Sequence, residues 1–192
     1  MQSIEHIKKQ FHESAQLKLA FVEAFAQDIA DTASLMGEKL QAGGKLLVAG
    51  NGGSAADAQH FAAEMVGRLG RERPPIAAIA LTTDTSILTA VGNDYDFGDI
   101  FVRQIQALGS ANDVLILLST SGNSRNLVKA VESAKLIGIN TIGLLGKDGG
   151  QLADIVDSAI IVPAHSSQRI QEIHITVIHT WCEIIEDILY PI

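Results

Sequence analysis

Val114-Leu115-Ile116-Leu117-Leu118-Ser119-Thr120-Ser121-Gly122-Asn123-Ser124 decides the fold. Its five leading apolar residues show no polar alternation, the pattern of a strand buried on both faces of a parallel sheet. Directly after Ser124, Leu127, Val128, Val131, Ala134 and Lys135 recur at helical spacing. The hydroxyls of Ser119, Thr120, Ser121 and Ser124 therefore lie on the turn where a strand becomes a helix. Gly122 lets the backbone come close to a ligand, and the free N–H groups of the helix's first turn point at it. No lysine follows in the Walker arrangement, so this is not a nucleotide-type phosphate loop. A neutral cradle of hydroxyls and amides suits a sugar phosphate. The competing reading is an ordinary serine-rich turn with Asn123 or Ser124 as helix N-cap.

Working outward, apolar runs alternate with helical patterns. Strands are expected at 45–49, 76–81, 114–118, 141–145 and 159–162, and helices at 55–68, 84–91, 97–108 and 168–189. Gly92-Asn93-Asp94 joins two of the helices, and 146–150 is read as loop. Strands that alternate with helices run parallel with right-handed crossovers. The expected fold is α/β, a three-layer doubly wound sandwich with a five-stranded parallel sheet in the flavodoxin-like order 2-1-3-4-5. Strands 1 and 3 are then neighbours, and ligands bind beyond their carboxyl ends. Two special turns, Gly50-Asn51-Gly52-Gly53-Ser54 and the serine cluster, lie at those two strand ends. That coincidence favours the phosphate reading.

Ahead of the α/β unit, residues 1–43 are helical. Val22, Phe25, Ile29, Ala33, Met36 and Leu40 form one apolar stripe, and Gly43-Gly44 ends it. The segment is long for one globular helix, so a break is expected, with Asp28 or Asp31 capping a second helix. The stripe would pack on the sheet or on a neighbouring subunit. The whole chain, 1–192, reads as one domain.

Composition narrows the function. With 47% hydrophobic and 19% charged residues the chain is globular, and its mean hydropathy of +0.22 is high. No apolar run approaches the ~20 residues that span a bilayer, so the apolar surplus points to subunit contacts. A net charge of −8 argues against direct nucleic-acid binding. The single Cys182 sits in an apolar helical pattern and reads as inert core in a reducing cytoplasm. Residues 1–16 are charged and amphipathic, unlike a signal peptide.

Candidate chemistry lies on two helices. Asp57, His60, Glu64 and Arg68 recur about four residues apart after the glycine turn, so His60 and Glu64 share a helix face. Glu64 could serve as the general base of enediol formation, or simply form a surface pair with Arg68. Gln171, His174 and His179 lie on the last helix. His179 is a natural acid/base or metal ligand, or a core histidine. His60, Glu64 and His179 suit zinc, with Gln171 as a weaker oxygen ligand. Gln171 and His179 are about 12 Å apart along a straight helix, so either they reach one ion from different subunits or one of them is not a ligand.

Taken in order, Gly50–Ser54, His60-Phe61-Ala62-Ala63-Glu64, Gly92-Asn93-Asp94, Ser119–Ser124 and Arg169-Ile170-Gln171-Glu172-Ile173-His174 with His179 resemble the sugar isomerase (SIS) domain. Within it they resemble the phosphoheptose isomerases, which act on sedoheptulose 7-phosphate. The resemblance implies that Ser119, Thr120, Ser121 and Ser124 hold the phosphate. It implies that Asn51, Gly52, Gly53, Ser54, Asn93 and Asp94 bind along the sugar, helped by Arg68 and Gln171. It makes Glu64 and His179 the acid/base pair. Some family members carry zinc at the positions of His60, Glu64, Gln171 and His179. The family is typically a homotetramer with sites between subunits, and its product feeds ADP-heptose and lipopolysaccharide core synthesis. Gln168 departs from the pattern, since many relatives carry an acid there that would orient the histidine. A related bacterial protein that binds the replication initiator lacks the acid at the position of Glu64, which this chain retains. A sugar-phosphate-sensing regulator would need neither Glu64 nor His179.

Overall fold

In the computed structural model, which describes residues 2–191, five strands form one all-parallel sheet. They are β1 (Leu46–Gly50), β2 (Ala78–Ala80), β3 (Val114–Ser119), β4 (Asn140–Gly146) and β5 (Ser158–Val162), in the order β2-β1-β3-β4-β5. This is the expected class and order. Successive strand residues point to opposite faces, and both faces are covered. Helices α1 (Gln2–Gln41), α2 (Gly53–Val66) and α7 (Ser167–Leu189) pack on Leu46, Val48, Ile116, Leu118 and Leu144. Helices α3 (Thr85–Asp94), α4 (Val102–Leu108), α5 (Arg125–Ile137) and α6 (Gly150–Ile155) lie on the other face, over Leu47, Ala49, Leu115, Leu117 and Leu145. Burial on both sides is why β3 reads as an unbroken apolar run.

Four expectations are corrected. The amino-terminal segment is one continuous helix of 40 residues, and Asp28 and Asp31 sit in its exposed interior rather than at a cap. Packing overrides the length prior. Phe21, Ile29, Ala33 and Met36 are buried, and the Trp181 indole of α7 donates to Ile29 O at 3.2 Å and Thr32 Oγ1 at 3.0 Å. Val22, placed in the buried stripe, is exposed instead. Gly92, Asn93 and Asp94 finish α3 rather than joining two helices, and the turn falls at Tyr95-Asp96, before the 3₁₀ turn Phe97–Asp99. The segment read as loop after β4 runs into the short α6, whose six residues are too few to show a period.

Among the described residues no helix is long and apolar enough to cross a membrane. Cys182 is buried, and burial, reinforced by the charges of Glu64 and Glu186, pushes its thiol up to about 12, so it is inert as expected.

His174 is fully buried on α7, with Nε2 set to donate to Leu145 O at 3.3 Å. Burial pulls its imidazole down from 6.5 to about 4, only partly offset by that hydrogen bond. The unfolded chain therefore binds this proton at a higher pH than the folded one. The stability His174 contributes is complete above pH 6.5 and is lost as pH falls toward 4. Urea unfolding at pH 7 and near pH 4 is expected to reveal a loss on the order of 3 kcal/mol from this group, and the loss shrinks in His174→Asn.

Candidate active site

The parallel pairing sets Gly50 opposite Leu118, so the turns after β1 and β3 start side by side. Gly52, at φ 56°, precedes α2 and leaves the first N–H groups of that helix without a side-chain cap. The Asn51 and Asn126 amides donate to each other, at 3.0 and 2.9 Å, and lock the first turn to the start of α5. Asn126 escaped sequence reasoning, because its partner is 75 residues away and amide pairs have no sequence period.

The serine turn is preorganised in the same way. Ser119 Oγ accepts from Gly122 N at 3.0 Å, and Ser121 Oγ accepts from Asn123 N at 3.3 Å. Gly122 O accepts from Leu152 N at 2.9 Å, and Asn123 Oδ1 accepts from Gln151 N at 3.1 Å, so the start of α6 braces the loop. Ser124 occupies the N-cap position of α5, yet its hydroxyl makes no cap bond among the described residues. That leaves Ser124 available to a ligand and weakens the ordinary-turn reading. Thr120 Oγ1 lies 3.4 Å from Ser167 Oγ, which brings the first turn of α7 to the same mouth. The cradle is neutral, as expected, with a cation at its rim: Arg125 follows Ser124 and pairs with Asp96 at 3.4 Å.

Two turns along α2 lies a second cluster. His60 Nε2 and His179 Nε2 are 2.9 Å apart, so one ring donates to the other. Glu64 Oε1 stands 3.4 Å from the same His60 nitrogen, with its side chain only 19% exposed. The expected His60, Glu64 and His179 are thus brought together within one chain. Asp57, one turn before His60, completes this face of α2. Burial pushes its carboxyl above the usual range while His60 pulls the other way, and Oδ2 is buried without a hydrogen-bond partner among the described residues. Its helical spacing, three residues before His60, was visible in the sequence, but its burial was not.

Other expected residues lie elsewhere. The Gln171 amide packs on Gly53, where an added Cβ would meet Nε2 at 2.3 Å. Gly53 and His60 are about 10 Å apart along α2, so Gln171 does not join His60, Glu64 and His179 within one chain. Arg68 pairs with Glu72 at 3.6 Å on the surface, and the considered Glu64–Arg68 pair is not formed. Asn93 donates to Asp94 at 2.8 Å at the exposed end of α3. Gln168 accepts from Ser166 Oγ at 2.8 Å in the first turn of α7. Eleven residues of helix, about 16 Å, separate it from His179, whose ring partner here is His60.

The chain is similar over nearly its whole length to known proteins. The SIS domain profile matches residues 10–146. A phosphoheptose isomerase from Aquifex aeolicus is 53% identical over 186 residues, 97% of each chain. The solved phosphoheptose isomerase from Neisseria gonorrhoeae superposes with a TM-score of 0.90 at 46% identity, covering 95% of this chain and 98% of its own. That from Francisella tularensis gives 0.94 at 40% identity, covering 97% and 100%. The chain belongs to the SIS domain family, among the phosphoheptose isomerases. For this phosphoheptose isomerase relative, the two imidazoles and the carboxylate are donor types that zinc takes. Yet among the described residues no group of three or more His, Cys, Asp and Glu side chains is arranged to hold a metal ion. The single chain thus has the donors without the assembled shell.

Gly122, at φ 66°, touches the backbone of Gly149, and an added Cβ would fall 1.8 Å from Gly149 O. Gly122→Ala should therefore open the cradle. The expected outcome is a stability loss of roughly 1–3 kcal/mol in thermal unfolding, with weakened binding of a sugar phosphate in calorimetry.

Proposed function

We propose that this protein is a phosphoheptose isomerase that converts sedoheptulose 7-phosphate into D-glycero-D-manno-heptose 7-phosphate through an enediol. The observation that carries the reading is the Glu64–His60–His179 cluster, with separations of 3.4 and 2.9 Å, two turns of α2 beyond a preorganised phosphate cradle. The spacing suits an open-chain sugar held by its phosphate at one end and reacting at the other. The hydroxyls of Ser119, Thr120, Ser121 and Ser124 hold the phosphate, and Asn51, Gly52, Gly53, Ser54 and Gln171 lie along the sugar. Asn93, Asp94 and Arg68 belong to the sugar contacts of the assembled enzyme.

Glu64 removes the proton from C1, the C1–H electrons form the C1–C2 double bond, and the carbonyl oxygen takes a proton from His179. The enediol then loses its O1 proton to His179 as C1 becomes the aldehyde, and Glu64 returns its proton to C2. Atoms and charge balance without an external reductant. A carboxylate held beside an imidazole, with its side chain only 19% exposed, suits general-base work. Glu64→Gln keeps the shape and removes the base. Its turnover is expected to fall about 10²–10⁴-fold while substrate still binds. Wild-type protein in D₂O should form the aldose with deuterium on carbon. A non-catalytic partner of the replication initiator, or a sugar-phosphate sensor, would bind the sugar and leave it unchanged.

The proposal extends to the assembled enzyme. Exposed Ile4, Ile7, Phe11 and Leu19 along α1 supply apolar surface for a homotetramer. His60, Glu64 and His179 are the residues that would hold a zinc ion, which when bound supplies Lewis-acid polarisation of a carbonyl. The same reading places the enzyme in the cytoplasm, feeding ADP-heptose and lipopolysaccharide core synthesis. Sedimentation velocity with metal analysis of the same purified sample checks both: four chains and one zinc per chain are expected, and a metal-free, fully active monomer would refute them.

A further inference from the structure

Arg73 stands in the segment between α2 and β2 and touches neither the cradle nor the imidazoles, yet its side chain is only 1% exposed. Its guanidinium is fully engaged. Nε donates to Glu186 Oε1 on α7 at 2.8 Å. Nη2 donates to the backbone oxygen of Glu64 at 2.8 Å. Nη1 donates to Met65 O at 2.8 Å, Pro74 O at 3.1 Å and Gly67 O at 3.2 Å. The Glu64, Met65 and Gly67 carbonyls lie at the end of α2, Met65 O also accepts from Ile76 N at 3.0 Å, and a cation there complements the helix dipole. Glu186 is itself 4% exposed and lies seven residues, two turns, after His179 on α7.

We propose that Arg73 is a positioning residue for the reaction: by clamping the last turn of α2 to Glu186 of α7, it sets the Glu64 carboxylate against His60 and His179. The inference rests on the isomerase reading above. Stacking of Phe61 on Trp181, with centroids 5.9 Å apart, presses the two helices together. Apolar contact of that kind is non-directional and leaves helices free to slide or rotate. A planar fork with fixed donor directions removes that freedom. Because Arg73 grips the backbone of Glu64 itself, any slack in the clamp moves the carboxylate directly. The phosphate cradle lies at the opposite end of α2 and is braced by Asn126 and α6, so it does not depend on the clamp.

The test separates positioning from bulk stability. A buried ion pair replaced on both sides by apolar residues of similar size generally keeps or gains stability. The double variant Arg73→Met with Glu186→Leu removes both charges together but takes the guanidinium donor from the Glu64, Met65, Gly67 and Pro74 carbonyls, so it is expected to melt below the wild type while staying folded at the assay temperature. Its kcat for sedoheptulose 7-phosphate should fall about 10–100-fold, the scale of an ångström-level misplacement, with KM within about threefold. Arg73→Lys keeps the charge opposite Glu186 but cannot fork onto the four carbonyls, and it should show the same split in smaller degree. That variant decides the matter if the double variant does not fold. Wild-type kcat in the folded double variant or in Arg73→Lys overturns the proposal, as does a rise in KM that matches the fall in kcat. Glu64→Gln is run alongside. If the wild-type protein leaves sedoheptulose 7-phosphate unchanged, the isomerase reading fails; if wild type turns over and Glu64→Gln is inactive while the Arg73 variants keep wild-type kcat, only the clamp fails.

Discussion

The parallel pairing of β1 with β3 is the contact on which the molecule depends. It sets Gly50 beside Leu118 and so starts two helices, α2 and α5, from adjacent points on one sheet edge. Each helix begins with N–H groups that have no intrahelical partner, and the two helix starts open onto one small mouth. Away from that pairing, each turn would be an isolated loop. The chain winds away from the two strands in opposite directions, which keeps the mouth free of crossing connections. Asn51 and Asn126 then pin the two sides at fixed spacing, so that binding an anion requires little further ordering.

The second constraint is the packing of α2 against α7 over the same face of the sheet. Contacts at both ends step forward together: Gly53 meets Gln171, and His60 meets His179. The helices therefore run parallel, and one face of α2 connects the glycine turn after β1 to the cluster of His60, Glu64 and His179. This arrangement explains why Gln171 and His179, both on α7, serve different parts of the cleft within a chain. It also explains why Asp57 lies between them with a carboxyl raised by burial. The Arg73–Glu186 pair closes the far end of the same helix contact.

The amino-terminal helix plays a separate part. Its carboxyl-terminal half is buried against α7 through Trp181, whereas residues such as Ile7 and Phe11 extend apolar surface into solvent. The helix of 40 residues is thus covered by the rest of the chain over only half its length.

The sequence by itself determined the sheet order, the two special turns and the shared helix face of His60 and Glu64. Those signals are local or topological: an unbroken apolar run means burial on both faces, and a glycine or serine cluster between strand and helix marks a ligand turn. The His60–Glu64 spacing follows from helix geometry alone. What only the tertiary structure decided depends on contacts between distant residues. Among these are the unbroken course of α1 past Asp28 and Asp31, the seat of Gln171 on Gly53, the isolation of Gln168 from His179, and the joining of Arg73 to Glu186 across 113 residues. Each turns on which helix faces meet and at what axial offset. Periodicity identifies the apolar face of a helix, but the offset between two helices is set by the packing of the whole core.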